Sequence, residues 1–320
     1  MIYLLFFLIS FTLTYFIKNY ATKKSLVATV NERSSHTVPT PHGGGIAIAI
    51  TWFIGLLYLY FIGDIDTNLF YALMIGIVIS IVSFFDDIYE LSPKIRLISQ
   101  FFVAISGLFL LGGFEAMSFG LFQIENQLFT NVFACLMIVW FINLYNFLDG
   151  INGYAGSEAV FLSVAGFLLF GDNHFIAMTV AVLGFLYWNW NRAKIFMGDV
   201  GSTLLGYNIA IFTIYYANEE PTNFWIWIVL FSLFWFDATV TLIRRKLNKE
   251  KLSQAHKKHA YQRLIQAGWS HYKVTNYSIA VNIILFCSIY FISNIFIAFL
   301  LSLSLLCICL FYVEKEKRFD

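Results

Sequence analysis

Two adjacent aspartates, Asp86 and Asp87, stand at the end of an apolar stretch of the sequence. Neighbouring carboxylates repel each other unless a cation lies between them or close by. Mg²⁺ prefers oxygen ligands and often takes only one or two protein carboxylates together with substrate phosphate. The pair therefore predicts a metal site, or a base that acts on a phosphate or a hydroxyl group. Two solvated acids in a turn are the alternative.

A second polar group lies in NLYNFLDGINGYAG, residues 143–156. Asn143, Asn146 and Asp149 follow one another at intervals of three, which places them on one face of a predicted helix. The glycines that follow end this helix and let a ligand approach the backbone. Because polar side chains at the end of an apolar span need water, each other or a ligand, we expect a binding role here. An ordinary polar helix end is the alternative.

The third group surrounds Asp199, which stands between Gly198 and Gly201 where a new helix is predicted to begin. The N–H groups at a helix N-terminus favour phosphate binding. Lys194, shortly upstream, is a candidate substrate contact. A metal- or phosphate-binding turn is predicted, and a capped junction between loop and helix is the alternative.

The fourth group lies in the long basic segment 244–273. His256, His259 and Arg263 are spaced as neighbours on one helical face, and such a face suits a pyrophosphate or a sugar nucleotide. Zinc is disfavoured because no third ligand stands nearby. The remaining basic residues of interest are expected to face the membrane surface: Lys246, Lys249 and Lys251.

Three glycines, Gly43 to Gly45, follow Pro41 and His42 at the start of another apolar stretch. Glycine permits close approach of backbone to a ligand or to another element. The sequence leaves both readings open, namely a ligand-contacting loop and a closely packed helix start.

The elements that must position these groups are membrane helices. Hydrophobic residues make up 59% of the chain and charged residues 12%, a composition that excludes an ordinary soluble domain. A spanning helix needs about 20 mainly apolar residues. We therefore predict an all-α polytopic membrane protein with a single integral-membrane domain, residues 1–320, and about 11 transmembrane helices. The apolar segments are 1–17, 45–62, 68–85, 97–112, 128–147, 157–170, 174–190, 201–217, 223–241, 274–292 and 294–313.

The charges predict the orientation of these helices. All 20 Lys and Arg residues fall in alternate gaps between the segments or in the C-terminal tail, and the charged residues of the other gaps are all acidic. Basic loops stay on the cytoplasmic side, so the N-terminus is predicted outside and the C-terminus inside. All four groups then share the cytoplasmic face. The first segment is expected to be a retained helix and not a signal peptide. A short β-hairpin over 117–127 and a tight turn at Ser293 and Asn294 are further expectations.

Together these motifs resemble the polyprenyl-phosphate N-acetylhexosamine-1-phosphate transferases, a superfamily that includes the phospho-N-acetylmuramoyl-pentapeptide transferase of peptidoglycan synthesis. The resemblance extends from TPHGGGIAI to HKKHAYQR and includes DDIYELSPKIRLISQ, NLYNFLDGINGYAG and AKIFMGDVGS. The chain departs from the pattern at Asn152, where many members have Asp, and at Arg192, where many have Pro. Neither departure touches AKIFMGDVGS, which resembles the metal-binding signature of the family.

The resemblance implies transfer of an N-acetylhexosamine 1-phosphate from a UDP-sugar to polyprenyl (undecaprenyl) phosphate, with release of UMP. This reaction would initiate O-antigen or a related cell-envelope polysaccharide at a bacterial inner membrane, with a cytoplasmic active site. The implied partners are the lipid, a UDP-N-acetylhexosamine and the membrane. No nucleic acid is implied, and homodimer formation is left open.

The resemblance also implies roles for individual residues. Asp86 and Asp87 would be catalytic. Mg²⁺, with Mn²⁺ as a substitute, would be held by Asp199, Asn146 and Asp87. The implied substrate-binding residues are Asn143, Asn146, Asp149, Lys194, His256, His259 and Arg263.

Three other functions compete with this interpretation. The first is the peptidoglycan transferase of the same superfamily. The second is a cation-coupled transporter, which is disfavoured because transporters bind their ions near the bilayer midplane and these acids lie at helix ends. The third is a non-catalytic scaffold, which has no reason to gather four aspartates beside cations.

Overall fold

The structure is a computed structural model that describes residues 1–23, 27–28, 40–252, 254 and 256–319, with only the backbone described at 27–28. It is built from helices, and the expected all-α class is confirmed. The helices are α1 (Ile2–Lys23), α2 (Gly45–Phe61), α3 (Thr67–Met74), α4 (Gly76–Tyr89), α5 (Pro93–Leu110), α6 (Gln127–Leu148), α7 (Tyr154–Phe170), α8 (Asn173–Asn189), α9 (Asp199–Glu219), α10 (Asn223–Leu230), α11 (Ser232–Leu247), α12 (Ala260–Gln266), α13 (His271–Phe291) and α14 (Ile295–Glu316).

Two antiparallel pairs of two-residue strands complete the described elements. Strand β1 (Val27–Ala28) pairs with β2 (Thr40–Pro41). Strand β3 (Met117–Ser118) pairs with β4 (Gln123–Ile124), which confirms the short hairpin expected over 117–127. The turn expected between the last two helices is also confirmed, because Asn294 accepts hydrogen bonds from Phe296 and Ile297 as the N-cap of α14.

Each predicted apolar segment overlaps a helix or a broken pair of helices. Within the described part of the chain, six helical stretches are long and apolar enough to cross a membrane, and α10 with α11 forms a seventh if this pair, bent by 71°, is one span. The six are α1, α3 with α4, α5, α6, α13 and α14. A multi-pass membrane protein is therefore supported, and the layout with 11 spans and its orientation stays a prediction.

Helix α9 runs through the centre of the molecule. Seventeen of its 21 residues are buried, and it packs against α2, α4 and α6. Gly206 permits the contact with α6, since an added Cβ there would lie 2.5 Å from the Phe141 carbonyl oxygen. The N-terminus of this central helix carries Asp199, so the whole core determines where that carboxylate lies.

The glycines before α2 form the contact between α2 and α9. The N–H groups of Gly44 and Gly45 donate to the carbonyl oxygens of Phe196 and Met197, at 2.9 and 2.8 Å. A Cβ at Gly45 would lie 2.3 Å from the backbone nitrogen of Gly201. Of the two readings of this glycine run, the structure supports a closely packed helix start. Residues 36–39, which directly precede the TPHGGGIAI motif, lie outside the described part of the chain.

Candidate active site

Three helix ends bring the predicted acidic groups together. The C-terminal part of α4 carries Asp86 and Asp87, the C-terminal part of α6 carries Asn146, and α9 begins at Asp199. Asn146 Nδ2 donates to Asp199 Oδ1 at 2.8 Å, and the backbone N–H of Asp199 donates to Asp87 Oδ1 at 3.3 Å. Residues more than 50 positions apart in the sequence thus form one cluster, as the motifs predict.

A cavity of about 380 Å³ opens beside this cluster. Asp86, Asn143, Asn146 and Asp199 contribute to its wall, together with apolar residues of α4 and α5. Leu252, from the basic segment after α11, also lines it. A space of this size, with polar groups on one side and apolar groups on the other, suits part of an amphipathic or phosphorylated ligand.

Two residues of this cavity were missed as candidate site residues, although both stand in the motif that follows Asp86. Arg96 Nη1 lies 3.3 Å from Asp86 Oδ2, and Gln100 lies one turn further along α5. The spacing of four between Arg96 and Gln100 is the signal that could have identified them, because residues four apart share a helix face. Arg96 is the cation that the cavity presents beside its carboxylates.

Asn143 is held by a pair of amide hydrogen bonds. Its Nδ2 donates to Gln100 Oε1 at 2.7 Å, and Gln100 Nε2 donates back to Asn143 Oδ1 at 3.3 Å. The same Nδ2 also donates to the Val139 carbonyl oxygen. This pair joins α5 to α6 at the cavity wall, so Asn143 fixes the relative position of the two helices that carry Arg96 and Asn146.

The two adjacent aspartates face different spaces. Asp86 lines the cavity, whereas Asp87 lines a separate groove between α1, α2 and α4, together with His42. The rest of that groove is mainly apolar. Burial lowers the pKa of His42, and the nearby Asp199 carboxylate acts in the opposite direction. Neutral imidazole is therefore favoured at His42.

Asp149 follows the last residue of α6 and is only partly exposed. Burial, together with the charges of Asp199 and Asp87, raises its pKa to about 7. The charges of Asp199 and Asp87 thus add to the effect of burial, and a bound cation would offset their part of the increase in pKa.

The chemistry of the donors fits Mg²⁺. Among the described residues, no three His, Cys, Asp or Glu side chains form a ready-made metal site. Mg²⁺ does not require one, because it is commonly bound through one or two carboxylates with water and substrate phosphates as the other ligands. The carboxylates of Asp87 and Asp199, linked through the Asp199 backbone, are such a pair.

The prediction that His256, His259 and Arg263 share one helical face is wrong. Helix α12 begins only at Ala260, so His259 is its N-cap and His256 lies before it. The physical reason is Asp237, whose carboxylate oxygens accept the Ala260 N–H at 2.8 and 3.0 Å and so fix the start of the helix. The two histidine rings still lie together, with centroids 4.9 Å apart, and His259 stacks near Phe147 of α6.

The structure does not bring Arg263 into the cavity wall. Its side chain is 3% exposed and donates to the Glu314 carboxylate and, through Nε at 3.0 Å, to the Lys317 carbonyl oxygen. Lys194 is exposed, and its Nζ lies 5.4 Å from the centre of the Trp188 ring. Substrate binding by Arg263 and Lys194 stays a prediction. The other lysines of interest are exposed, as expected: Lys246, Lys249 and Lys251.

Comparison with known proteins places this cluster in a recognised sequence region. The sequence model described as "Glycosyl transferase family 4" matches residues 69–217, which include both ends of the cluster. The chain is 32% identical over 273 residues to the probable undecaprenyl-phosphate N-acetylglucosaminyl 1-phosphate transferase of Bacillus subtilis (strain 168), covering 81% of this chain and 75% of that protein.

Two further relatives show the breadth of the similarity. The undecaprenyl-phosphate alpha-N-acetylglucosaminyl 1-phosphate transferase of Thermotoga maritima is 26% identical, over 81% of this chain and 80% of its own length. The phospho-N-acetylmuramoyl-pentapeptide-transferase of Wolbachia pipientis wMel is 29% identical, over 56% of this chain and 61% of its own length.

Proposed function

Since the chain belongs to glycosyl transferase family 4, we propose that it transfers an N-acetylhexosamine 1-phosphate from a UDP-sugar to polyprenyl phosphate and releases UMP. The observation that carries the proposal is the 32% identity to an undecaprenyl-phosphate N-acetylglucosaminyl 1-phosphate transferase over 81% of the chain. The cluster of Asp87, Asn146 and Asp199 supports it, because these residues meet at helix ends beside a cavity. Such a reaction is the first step in the synthesis of O-antigen or a related cell-envelope polysaccharide.

The proposed reaction makes one phosphoanhydride bond and breaks another. An oxygen of the lipid phosphate becomes bonded to the sugar-bearing β-phosphorus of the UDP-sugar. The bond from this phosphorus to the bridging oxygen breaks, and that oxygen leaves on UMP. Asp86 and Asp87 are the candidate bases for the attacking phosphate, and Arg96 would offset negative charge beside Asp86.

Asp199, Asn146 and Asp87 are proposed to hold the Mg²⁺ ion that the reaction uses. When bound, the ion neutralises charge on the diphosphate, which is the main requirement of phosphoryl transfer. The protein side of this arrangement rests on two contacts. Asn146 orients the Asp199 carboxylate, and the Asp199 N–H orients the Asp87 carboxylate.

Metal dependence is the first test of this arrangement. We expect UMP release by the purified protein to stop in excess chelator and to return when Mg²⁺ or Mn²⁺ is added in excess. The reason is that several carboxylates and a diphosphate cannot approach one another without a counter-ion. Turnover that continues undiminished in chelator contradicts the metal proposal.

A second candidate function is the phospho-N-acetylmuramoyl-pentapeptide transfer named for the Wolbachia relative. A panel of donors distinguishes the two. Purified protein with polyprenyl phosphate is given UDP-N-acetylglucosamine, UDP-N-acetylgalactosamine or UDP-N-acetylmuramoyl pentapeptide, and UMP is measured. The proposal expects UMP only with an unsubstituted N-acetylhexosamine donor. Release of UMP with the pentapeptide donor alone selects the second candidate.

The proposed orientation places the cluster on the cytoplasmic side of a bacterial inner membrane. It is supported by the distribution of Lys and Arg between the apolar segments. In a background whose native cysteines are replaced, we expect Ile65→Cys and Pro221→Cys to react with an impermeant thiol reagent in intact cells. Lys251→Cys should react only after the membrane is opened. Labelling of Lys251→Cys from outside would overturn this orientation and the cytoplasmic site with it.

The histidines and the lysines of the basic segment should differ in their effects. His259 is 3% exposed beside Phe147, whereas Lys246, Lys249 and Lys251 are exposed. We expect His259→Ala to lower kcat/KM for the UDP-sugar by at least about tenfold, or roughly 1.4 kcal/mol. Neutralising the three lysines together should leave kcat/KM per folded molecule nearly unchanged, because surface charges are screened. If the triple lysine variant loses kcat/KM while His259→Ala retains it, the roles of the histidine and the lysines are the opposite of those proposed.

A further inference from the structure

The C-terminal end of α14 contacts both helices that flank the segment 248–259. The Glu314 carboxylate accepts two hydrogen bonds from the Arg244 guanidinium, at 3.1 and 2.9 Å, and another from Arg263 Nη2. Arg244 lies in the last turn of α11 and Arg263 lies in α12. One carboxylate therefore joins the helix before this segment to the helix after it.

The residues that follow Glu314 strengthen this junction. The Phe319 ring centre lies 4.1 Å from the Arg244 guanidinium carbon and 5.5 Å from that of Arg263. The Phe319 N–H donates to Glu314 Oε1 at 3.1 Å, and the Lys317 carbonyl oxygen accepts from Arg263. Charge-assisted hydrogen bonds and cation–π contacts thus act on the same two arginines.

The segment held in this way reaches the candidate active site. Its Leu252 lines the cavity beside Asp86 and Asp199, and His259 at its end lies near Phe147. Arg245, in α11 just before the segment, bonds the Glu250 carboxylate at 3.0 Å and the Lys251 carbonyl oxygen at 2.8 Å. The first part of the segment is therefore bound to α11, and its position against the cavity depends on how α11 and α12 are held.

We infer that Glu314 is a positioning residue, which fixes the segment 248–259 against the cavity by holding Arg244 and Arg263 together. It acts through these arginines and not through contact with substrate. Glu314 is 31% exposed and Arg263 3% exposed in their side chains, so loss of the carboxylate leaves a buried guanidinium without its anionic partner. An unpaired buried charge is unfavourable, and the flanking helices would separate to let water reach it.

The kinetic part of this inference rests on the proposed function. Glu314→Gln removes the charge at constant size, and Glu316→Gln is the matched control, because Glu316 accepts from Trp269 Nε1 at 3.3 Å and interacts with Tyr312. We expect Glu314→Gln to raise KM for the UDP-sugar at least about fivefold with little change in kcat. The control should match the wild type. Arg263→Ala combined with Glu314→Gln should cost no more than the larger single effect, because both break one junction.

A second measurement needs no substrate and so separates this inference from the proposed function. The detergent-solubilised full chain is digested with limiting trypsin, and cleavage after Lys249 and Lys251 is followed over time. We expect cleavage at least about threefold faster in Glu314→Gln than in Glu316→Gln, because local opening exposes the segment. If Glu314→Gln does not accumulate, Phe319→Ala weakens the same junction and carries the same test. Equal cleavage of the weakened variant and the control, or an unchanged KM in an active protein, overturns the inference.

Discussion

Replacing Asp199 by Asn is expected to lower UMP release by at least about 100-fold, or roughly 2.7 kcal/mol in the activation free energy. Asn keeps the size of the side chain and removes its charge. Asp199 Oδ1 accepts from Asn146 Nδ2 at 2.8 Å, and the carboxylate stands where α4, α6 and α9 meet. Without the charge, the site loses the carboxylate that is proposed to be the main ligand of Mg²⁺.

The measurement is UMP release by purified variant whose folding is checked by its thermal unfolding and its elution as a single species. Glu219→Gln provides the matched control, because it makes the same chemical change at the last residue of the same helix. We expect the control to keep wild-type turnover. Asp199→Asn that retains full turnover would exclude Asp199 as an essential metal ligand.

Gly45→Ala is expected to disturb the site from a distance by displacing the start of α9. An added Cβ would lie 2.3 Å from the Gly201 nitrogen and 2.5 Å from its Cα, and neither backbone atom can move without its helix. Overpacking of a closely packed interface costs about 1–3 kcal/mol. Because Asp199 lies two residues before Gly201, we expect both a lower thermal midpoint and at least about tenfold lower turnover in the folded fraction.

Gly55→Ala is the control for this effect, since it introduces the same methyl group into the same helix. There the nearest atom is the Ala177 Cβ at 3.3 Å, a contact that a small adjustment relieves. We expect a distinctly smaller loss of stability and turnover close to the wild type. Equal effects of the two substitutions would show that the contact between Gly45 and Gly201 does not position the site.

The meeting of the acidic groups could be predicted from the sequence because each motif ends or begins an apolar segment. The charge pattern assigns those ends to one face, and helix ends at one face of a bundle lie near one another. Asp87, Asn146 and Asp199 follow this rule. This rule does not predict which residues of the cluster form hydrogen bonds with each other, since no pattern in the sequence pairs Asn146 with Asp199 across 53 positions.

The basic segment shows where periodicity misleads. His256, His259 and Arg263 have helical spacing, but spacing has meaning only inside a helix, and α12 starts at Ala260. The start is stabilised by Gln262, whose side chain accepts the His259 N–H at 3.3 Å, and by Asp237, a residue of another helix, so helical spacing alone does not reveal it. The role of Glu314 was missed for the same reason, because its arginine partners lie 51 and 70 positions away.

The hydropathy of the sequence likewise identifies membrane segments but does not show where they bend. The segment 223–241 reads as one apolar run, yet α10 and α11 meet at an angle of 71°. The break falls at Phe231, which is fully buried among Phe141, Tyr145 and Phe234. An apolar residue at a bend has the same appearance in the sequence as one inside a straight helix, so only tertiary packing reveals the break.

The central proposal is transfer of a sugar together with its phosphate, and the fate of the β-phosphate tests it most directly. Purified protein is incubated with polyprenyl phosphate, Mg²⁺ and UDP-N-acetylglucosamine that carries a radiolabel in the β-phosphate, and the lipid and aqueous phases are separated. The proposal predicts that label enters the lipid phase in the same molar amount as UMP appears in water. Release of UDP with all of the label left in the aqueous phase would show transfer of the sugar alone and would contradict the proposed reaction.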